Sequence, residues 1–543
     1  MTGALNTASY TVPGFPNSGL AQGSMIAIFG RNLGPAAIVQ ASSFPLPATL
    51  GGTSAKITVG GQTRDLILTY TLATQIGAIV PSSTPLGAGQ LTVTYNGQTS
   101  AAFNVQVVAS QFGIFTINQG GSGPAVVQNF NTQADQPVNT LFNSAKPGQT
   151  VTLWGTGLGP ISGSDAGAPP TGDLSQPIEV LVGGRLATVR YKGRSGCCSA
   201  VDQIVFDIPS GITGCYVPLI IKNGNRVSNT SSISIAQNGG TCSDPLGYSA
   251  ADLNKAQTTG NFKVGSVSLT RVNIKLSVAG FDVENTTEVA AGAFYGFDQS
   301  QLVASNGASG SALTVGACTL YTYYGDQTAA TDPVLPRALD AGAALTLNGP
   351  NGTKQLQKGI GGLYNVVLGT STNIGGGGIP GLPGGIPGLP GGGSSTPYLT
   401  PGSYNITGPG GSEVGAFSSN LTIAGNFTWT NQAQVTQINR GSDQVITWSG
   451  APADGYVLAT GQSMDTNAKV GGSFMCVERG SAGRLTVPAS ILLALPQSSV
   501  VEGSPTGQLS VGLISEPVRF SASGLDVGAF SYSNLYGKNL NYQ

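Results

Sequence analysis

The sequence predicts an all-β protein built as a string of β-sandwich domains. Three observations carry this. Short apolar runs with period-two alternation recur along the chain, separated by Gly, Pro and Asn-Gly turn signals. Glycine is abundant, 82 of 543 residues, and falls mainly at strand ends and turns. The first half repeats itself, block for block, with an offset of about 125 residues (residue 23 to residue 148).

The repeat defines the first two elements. GSMIAIFGRNLGP (23–35) matches GQTVTLWGTGLGP (148–160), ITVGG (57–61) matches VLVGG (180–184), and TQIGAIVPSSTPLGAGQLTV (74–93) matches DQIVFDIPSGITGCYVPLII (202–221). YNGQTS (95–100) and KNGNRVS (222–228) follow in the same order. Met25, Ala27 and Phe29 alternate with Ile26 and Ile28, and both faces are apolar, as in a sandwich strand; Val151, Leu153 and Trp154 occupy the same place in the second copy. Asn96-Gly97 and Asn223-Gly224 each supply the two φ > 0 positions of a type I′ hairpin. Two homologous modules are therefore expected at 1–109 and 138–240, each large enough to bury its own core. Residues 110–137, with FGIF (112–115) and GGSGP (120–124), are expected as a connecting strand and ordered loop.

These motifs, with LNTASY near the start, resemble the Ig-like IPT/TIG module, and more closely a paired module of secreted acidobacterial proteins. The resemblance covers about residues 5–240. It implies Ig-like β-sandwich domains and an extracellular setting, and no chemistry. The cysteine cluster of the second module departs from the generic pattern.

The second half resumes after a polar, aperiodic stretch at 241–261. KVGSVSLTRVNIKLSVAGFDV (263–283), ACTLYTYYG (317–325) and NFTWTNQAQVTQINRGSDQVITWSG (426–450) alternate as strands, and RLTVPASILLALP (484–496) is the one place where a short helical turn competes. Two further sandwiches are expected, at 248–425 with a Gly/Pro-rich loop at 375–397, and at 426–543. In that loop GGIPGLP occurs twice (377–390). Its glycine frame breaks at Gly384-Gly385, which argues against a collagen helix and favours a flexible or polyproline-II-like surface loop.

Composition removes several functions. There is no histidine, so Ser-His-Asp and Cys-His catalysis and imidazole metal ligation are excluded. Lys+Arg is 23 and Asp+Glu 24, which leaves no positive field for nucleic acid. No apolar run is long enough for a transmembrane helix. The six cysteines, Cys197, Cys198, Cys215, Cys242, Cys318 and Cys476, favour disulfides and export. Free thiols or a metal remain open, although Cys197-Cys198 lacks the spacer of a zinc knuckle. A pairing of Cys318 with Cys476 would staple the C-terminal half. Residues 1–30 carry no secretory signal, so export implies one absent from the given sequence.

No catalytic constellation, metal site or cofactor site is expected. Gly155, Gly157 and Gly159 read as turn glycines, since a dinucleotide loop needs a longer spacing before its third glycine. Asp282, Glu284 and Glu288, or Asp326 and Asp332, could pair as in a glycosidase, but they lack a recognisable scaffold. N-x-S/T sequons at Asn229, Asn285, Asn351, Asn405, Asn420 and Asn426 arise readily in so Thr-rich a chain. Tyr321, Tyr323, Trp429 and Trp448 are candidates for stacking sugar rings, against ordinary packing at a sandwich rim. Phe530, Tyr532, Tyr536, Leu540 and Tyr542 alternate along the tail as an assembly strand that could add to a neighbour's sheet, against an ordinary final strand. Sparse charge leaves sheet edges unprotected. The expected function is thus a non-enzymatic extracellular structural or adhesive protein, self-associating or bound to other cell-surface components. The alternative is a carbohydrate-binding surface or accessory protein.

Overall fold

In the computed structural model, which describes residues 1–278, 281–304, 314–324, 336–374, 397–425 and 427–543, the chain is all-β and forms two compact units. Met1–Cys242 make up the first, and the chain from Ser243 onward makes up the bulk of the second.

The first unit holds both copies of the repeat, each as a two-sheet sandwich. In the first copy Gly3–Asn6, Met25–Phe29, Gln75–Ile79, Ile67–Thr71 and Val39–Gln40 form one sheet. Leu20–Ala21, Phe103–Val108, Gly87–Tyr95, Thr53–Val59 and Thr49–Leu50 form the spine of the other. Ile26, Ile28, Leu68 and Ile76 from the first sheet and Ile57, Val59, Leu91 and Val93 from the second share one buried core. The alternation that put these residues on one face thus closes the sandwich.

The second copy repeats the scheme. Met25–Phe29 pairs with Gln75–Ile79, and its counterpart Thr150–Thr156 pairs with Asp202–Asp207. Val151, Leu153, Ile204 and Phe206 face Val180, Val182, Val217 and Leu219 across the core. The segment 110–137 belongs to this sandwich: Gly113–Ile114 and Val127–Asn129 pair with Thr150–Thr156, and Gly123–Pro124 pairs with Ser231–Ile235.

Of the two hairpin turns, the first meets the shared expectation and the second departs from it. Tyr95 pairs with Gln98 around Asn96-Gly97, whose φ values of 48° and 80° make the type I′ turn. In the second copy Asn223 itself pairs with Arg226, so the turn residues are Gly224-Asn225 and only Gly224 takes a positive φ. One inserted residue moved the turn along by one position.

In the second unit the division at 425/426 does not appear in the strand pairing. Among the described residues, fourteen strands form one sheet. The long hairpin Asn261–Val278 and Phe281–Asp298 lies at its centre. The final strand Val527–Asn539 pairs in parallel with Asn261–Val278, from Val264↔Val527 to Lys275↔Lys538, and antiparallel with Gln508–Ile514. Residues 426–543 therefore complete the sheet begun by 248–425. One terminal strand, Phe417–Ile423, folds back onto the same body, with the Phe417 and Phe520 rings stacked at 4.6 Å. The core beneath holds Leu269, Phe294, Leu345, Tyr364, Tyr404 and Phe530.

The polar stretch at 241–261 contains a helix, Ala250–Thr259. Ser249 accepts from the Asp252 amide and Asp252 accepts from the Ser249 amide, a capping box legible as Ser-x-x-Asp, and Gly260 closes the helix in the left-handed conformation. The helical turn competing at 484–496 is realised as Ala489–Leu492, directly after the strand Arg484–Val487.

Of the acidic candidates, Glu288 is structural. Its buried carboxylate accepts from the Tyr398 amide at 2.6 Å and the Leu399 amide at 3.2 Å, and pairs with Arg271. It thereby pins the chain at Tyr398 to the central hairpin. Glu288→Gln is expected to cost about 1–3 kcal/mol of stability in the second unit, read from urea unfolding, because Arg271 loses its charged partner in a half-buried site. Glu284 stands opposite Lys275 on the same hairpin. The Asp282 side chain, Asp326, Asp332, Asn426 and nearly all of the 375–397 loop lie outside the described residues.

Candidate functional site

The six cysteines are all paired: Cys197–Cys198, Cys215–Cys242 and Cys318–Cys476. The last bond ties the strand Ala317–Tyr324 to Val470–Arg479, where Cys318 and Cys476 stand directly opposite each other. Its span of 158 residues is the longest of the three.

Ala317–Tyr324 is the other terminal strand of the large sheet, and among the described residues it pairs only with Val470–Arg479. The Cys318–Cys476 Cα separation of 4.0 Å is that of a non-hydrogen-bonded pair. The alternation then turns the N–H and C=O groups of Leu320 and Thr322 away from the partner strand, toward the sheet edge. The strand carries no charged residue. Tyr323 sits opposite Gly471 with its ring over that glycine, so close that a Cβ there would overlap it. Tyr323 is 39% exposed and Tyr321 is half-buried. Burial pushes both phenols above their ordinary value.

The other aromatic candidates are placed differently. Trp429 and Trp448 pair across two strands and are each 5% exposed. Trp429 donates to Asn431 at 2.9 Å and Trp448 to the Gly480 carbonyl at 2.9 Å. Neither presents a ring face for a sugar, because both indoles are used to fill the core beneath their own hairpin. They belong to a separate three-stranded sheet and not to the sheet that carries the tyrosines.

The assembly role expected of the tail does not hold in that form. Both edges of Val527–Asn539 are occupied by strands of the same chain. Phe530 and Tyr532 are buried in the core, Tyr536 stacks on Phe427 at 6.2 Å, and Leu540 and Tyr542 are buried, with the Tyr542 hydroxyl donating to the Gln508 carbonyl at 2.8 Å. Alternating aromatics mark a strand with a buried face but do not say whose sheet it joins.

One polar site escaped the sequence reading. At the contact between the two sandwiches of the first unit, Arg194 is buried to 1% side-chain exposure. Its guanidinium pairs with Asp202 and donates to the carbonyls of Gly159 at 2.7 Å and Gly23 at 3.2 Å. Asp202 also accepts from the Leu158 amide at 2.8 Å. Burial pushes the Asp202 carboxyl up to about 6, against the opposing pull of Arg194. Nearby, Asp165 accepts from the amide and hydroxyl of Ser82, at 2.6 and 2.8 Å. The Met25 amide donates to the Thr156 hydroxyl at 2.9 Å, and that hydroxyl donates to the Ala200 carbonyl at 2.6 Å. The glycines Gly157 and Gly159, with φ of 100° and 135°, form the turn that lets these backbone groups approach. Asn229, one of the sequons, is likewise buried and bonded to both backbone groups of Ile114.

Among the described residues no group of three His, Cys, Asp or Glu side chains is placed to hold a metal, and no helix is long and apolar enough to cross a membrane. No family model and no curated protein matches the chain. Solved structures similar to it include domains 5–6 of the S-layer protein SbsC, at 11% identity, TM-score 0.15, covering 43% of this chain and 96% of that one. A second is the Bacteroides ovatus mixed-linkage glucan utilization locus protein SGBP-B in complex with a mixed-linkage heptasaccharide, at 10% identity, TM-score 0.14, covering 90% and 93%. A third is the I9–I11 tandem from titin, at 8% identity, TM-score 0.13, covering 65% and 93%. At these values the likenesses are loose, and the architecture rests on the strand pairing and cores alone.

Proposed function

We propose that this chain is a non-enzymatic extracellular structural or adhesive protein that self-associates by β-strand pairing. The reading includes the kinship of its first two modules with the paired module of secreted acidobacterial proteins. The observation that supports it most is the strand Ala317–Tyr324, a terminal strand without charge whose Leu320 and Thr322 backbone groups face outward. Such an edge lacks the lysines, prolines or inward charges that usually block pairing between sheets. Its own disulfide holds it in register for a partner. Disulfides suit an oxidising compartment outside the cell.

Thr322→Pro tests this. Proline removes one outward N–H while leaving the ladder to Val470–Arg479 intact, because Thr322 is at a non-hydrogen-bonded position. Wild-type protein is expected to form oligomers or filaments visible by electron microscopy and light scattering, and Thr322→Pro to weaken association by about tenfold or more. Strictly monomeric wild-type particles at high concentration would sink the proposal.

Carbohydrate binding is the second reading, and the exposed Tyr323 ring favours it. Tyr323→Ala should then abolish binding on a glycan array without changing the oligomeric state.

A further inference from the structure

We infer that Cys197–Cys198 is a thiol-exchange site that controls the stiffness of the joint between the two sandwiches of the first unit. Three independent features of the same short loop carry this.

The first is access. Cys197 and Cys198 are exposed, at the tip of the loop between the strands Thr188–Arg194 and Asp202–Asp207. The other four cysteines are buried in the cores. A thiolate must reach a sulfur to attack it, so a thiol reductant meets this pair first.

The second is the loop's internal construction. The Ser195 amide donates to Val201 at 2.8 Å, the Val201 amide donates to the Cys198 carbonyl at 3.3 Å, and the Ser195 hydroxyl bonds that same carbonyl at 3.1 Å. The bond between adjacent cysteines closes a small ring within this frame and restricts the dihedrals on which these contacts depend.

The third is what the loop holds. Its two ends are Arg194 and Asp202, the buried ion pair, and Arg194 reaches Gly23 of the first sandwich. Ala200, two residues past the disulfide, sits at φ 59° and is buried against Ile67 and Ile79 of the first sandwich. Its carbonyl takes the Thr156 hydroxyl, which in turn takes the Met25 amide. A continuous chain of contacts therefore runs from the exposed sulfurs into the neighbouring sandwich.

The chemistry is a two-electron exchange with a dithiol. One thiolate of the dithiol attacks a cysteine sulfur, forms a mixed disulfide and releases the other cysteine as a thiolate. The second thiolate of the dithiol then displaces the bound cysteine. The products are two protonated cysteine thiols and the cyclic disulfide of the reductant. The opened loop regains backbone freedom, and Ala200 loses the frame that holds it in its strained conformation.

Native full-length protein treated with dithiothreitol, trapped with maleimide and mapped by mass spectrometry tests the site. Two thiols are expected, at Cys197 and Cys198, before any at the other four positions. In a parallel reduced sample left without maleimide, hydrogen exchange at the Met25 amide should accelerate by about tenfold and return to its slow rate on reoxidation. The double variant C197S/C198S should exchange fast at Met25 with or without reductant. Thiols appearing first elsewhere would overturn the inference. So would an unchanged Met25 rate after reduction, or a variant whose exchange is slow or still responds to dithiothreitol.

Discussion

Arg194→Met is expected to lower the stability of the first unit by about 3–5 kcal/mol at pH 8, and by less at pH 5. The guanidinium is buried and bonds Asp202 and two carbonyls, one in each sandwich. Removing it leaves the Asp202 carboxylate buried without its counter-charge, which is the costly way to break such a pair. The pH dependence follows from the position of Asp202. Burial raises its pKa to about 6, from 3.8 in the unfolded chain. Between those values the folded state keeps a proton that the unfolded state has released. The contribution of Asp202 to stability is therefore full below about pH 3.8 and is lost as pH rises through about 6. In the wild type the ionised form above pH 6 is sustained by Arg194. Without Arg194 the ionised form has no partner, so the gap between variant and wild type widens as pH rises. Urea titration at the two pH values, with hydrogen exchange in Thr150–Thr156 as the local probe, measures this. An equal loss at both values, or one below 1 kcal/mol, would mean that the pair is not what holds the joint.

C318A/C476A is expected to cost about 2–5 kcal/mol in the second unit and to release Ala317–Tyr324 first. The bond closes a span of 158 residues, and the entropy it removes from the unfolded chain grows with that length. The strand has a ladder on one side only among the described residues, so without the bond it has fewer fastenings than the strands inside the sheet. Exchange in Ala317–Tyr324 should rise further than in Val470–Arg479, which keeps a second partner in Tyr456–Asp465. Assembly, if it runs through this edge, should fall with it. A variant that loses stability uniformly across the sheet would contradict the idea that the disulfide acts on the edge.

The sandwich pair of the first unit was legible because each strand's alternation has a local meaning. Ile26 and Ile28, or Val151 and Leu153, need only a face to bury, and the repeat shows that two stretches solve that problem alike. The helix Ala250–Thr259 was missed, because its polar composition shows no apolar periodicity, although Ser249 and Asp252 spell a capping box. The strand pairing of the second unit was not legible either. Its hairpin Asn261–Val278 and Phe281–Asp298 displays two edges, and no local feature states that one of them is taken by Val527–Asn539, more than 200 residues later.

The aromatic and ionic sites show the same division. That Trp429 and Trp448 lie in strands, that Phe530 and Tyr532 share a face, and that the cysteines come in an even number are properties of the sequence by itself. Alternation and composition determine the all-β class, the repeat and the strand positions, because these depend on neighbours a few residues away. Only the tertiary structure decided that the tryptophans are buried, that the tail is a central strand, and that Ala317–Tyr324 is an edge among the described residues. Only it brought Arg194, Asp202 and Gly23 together under the Cys197–Cys198 loop. Burial, pairing partner and charge environment are set by segments distant in the chain, and a sheet edge is defined by which strand fails to arrive.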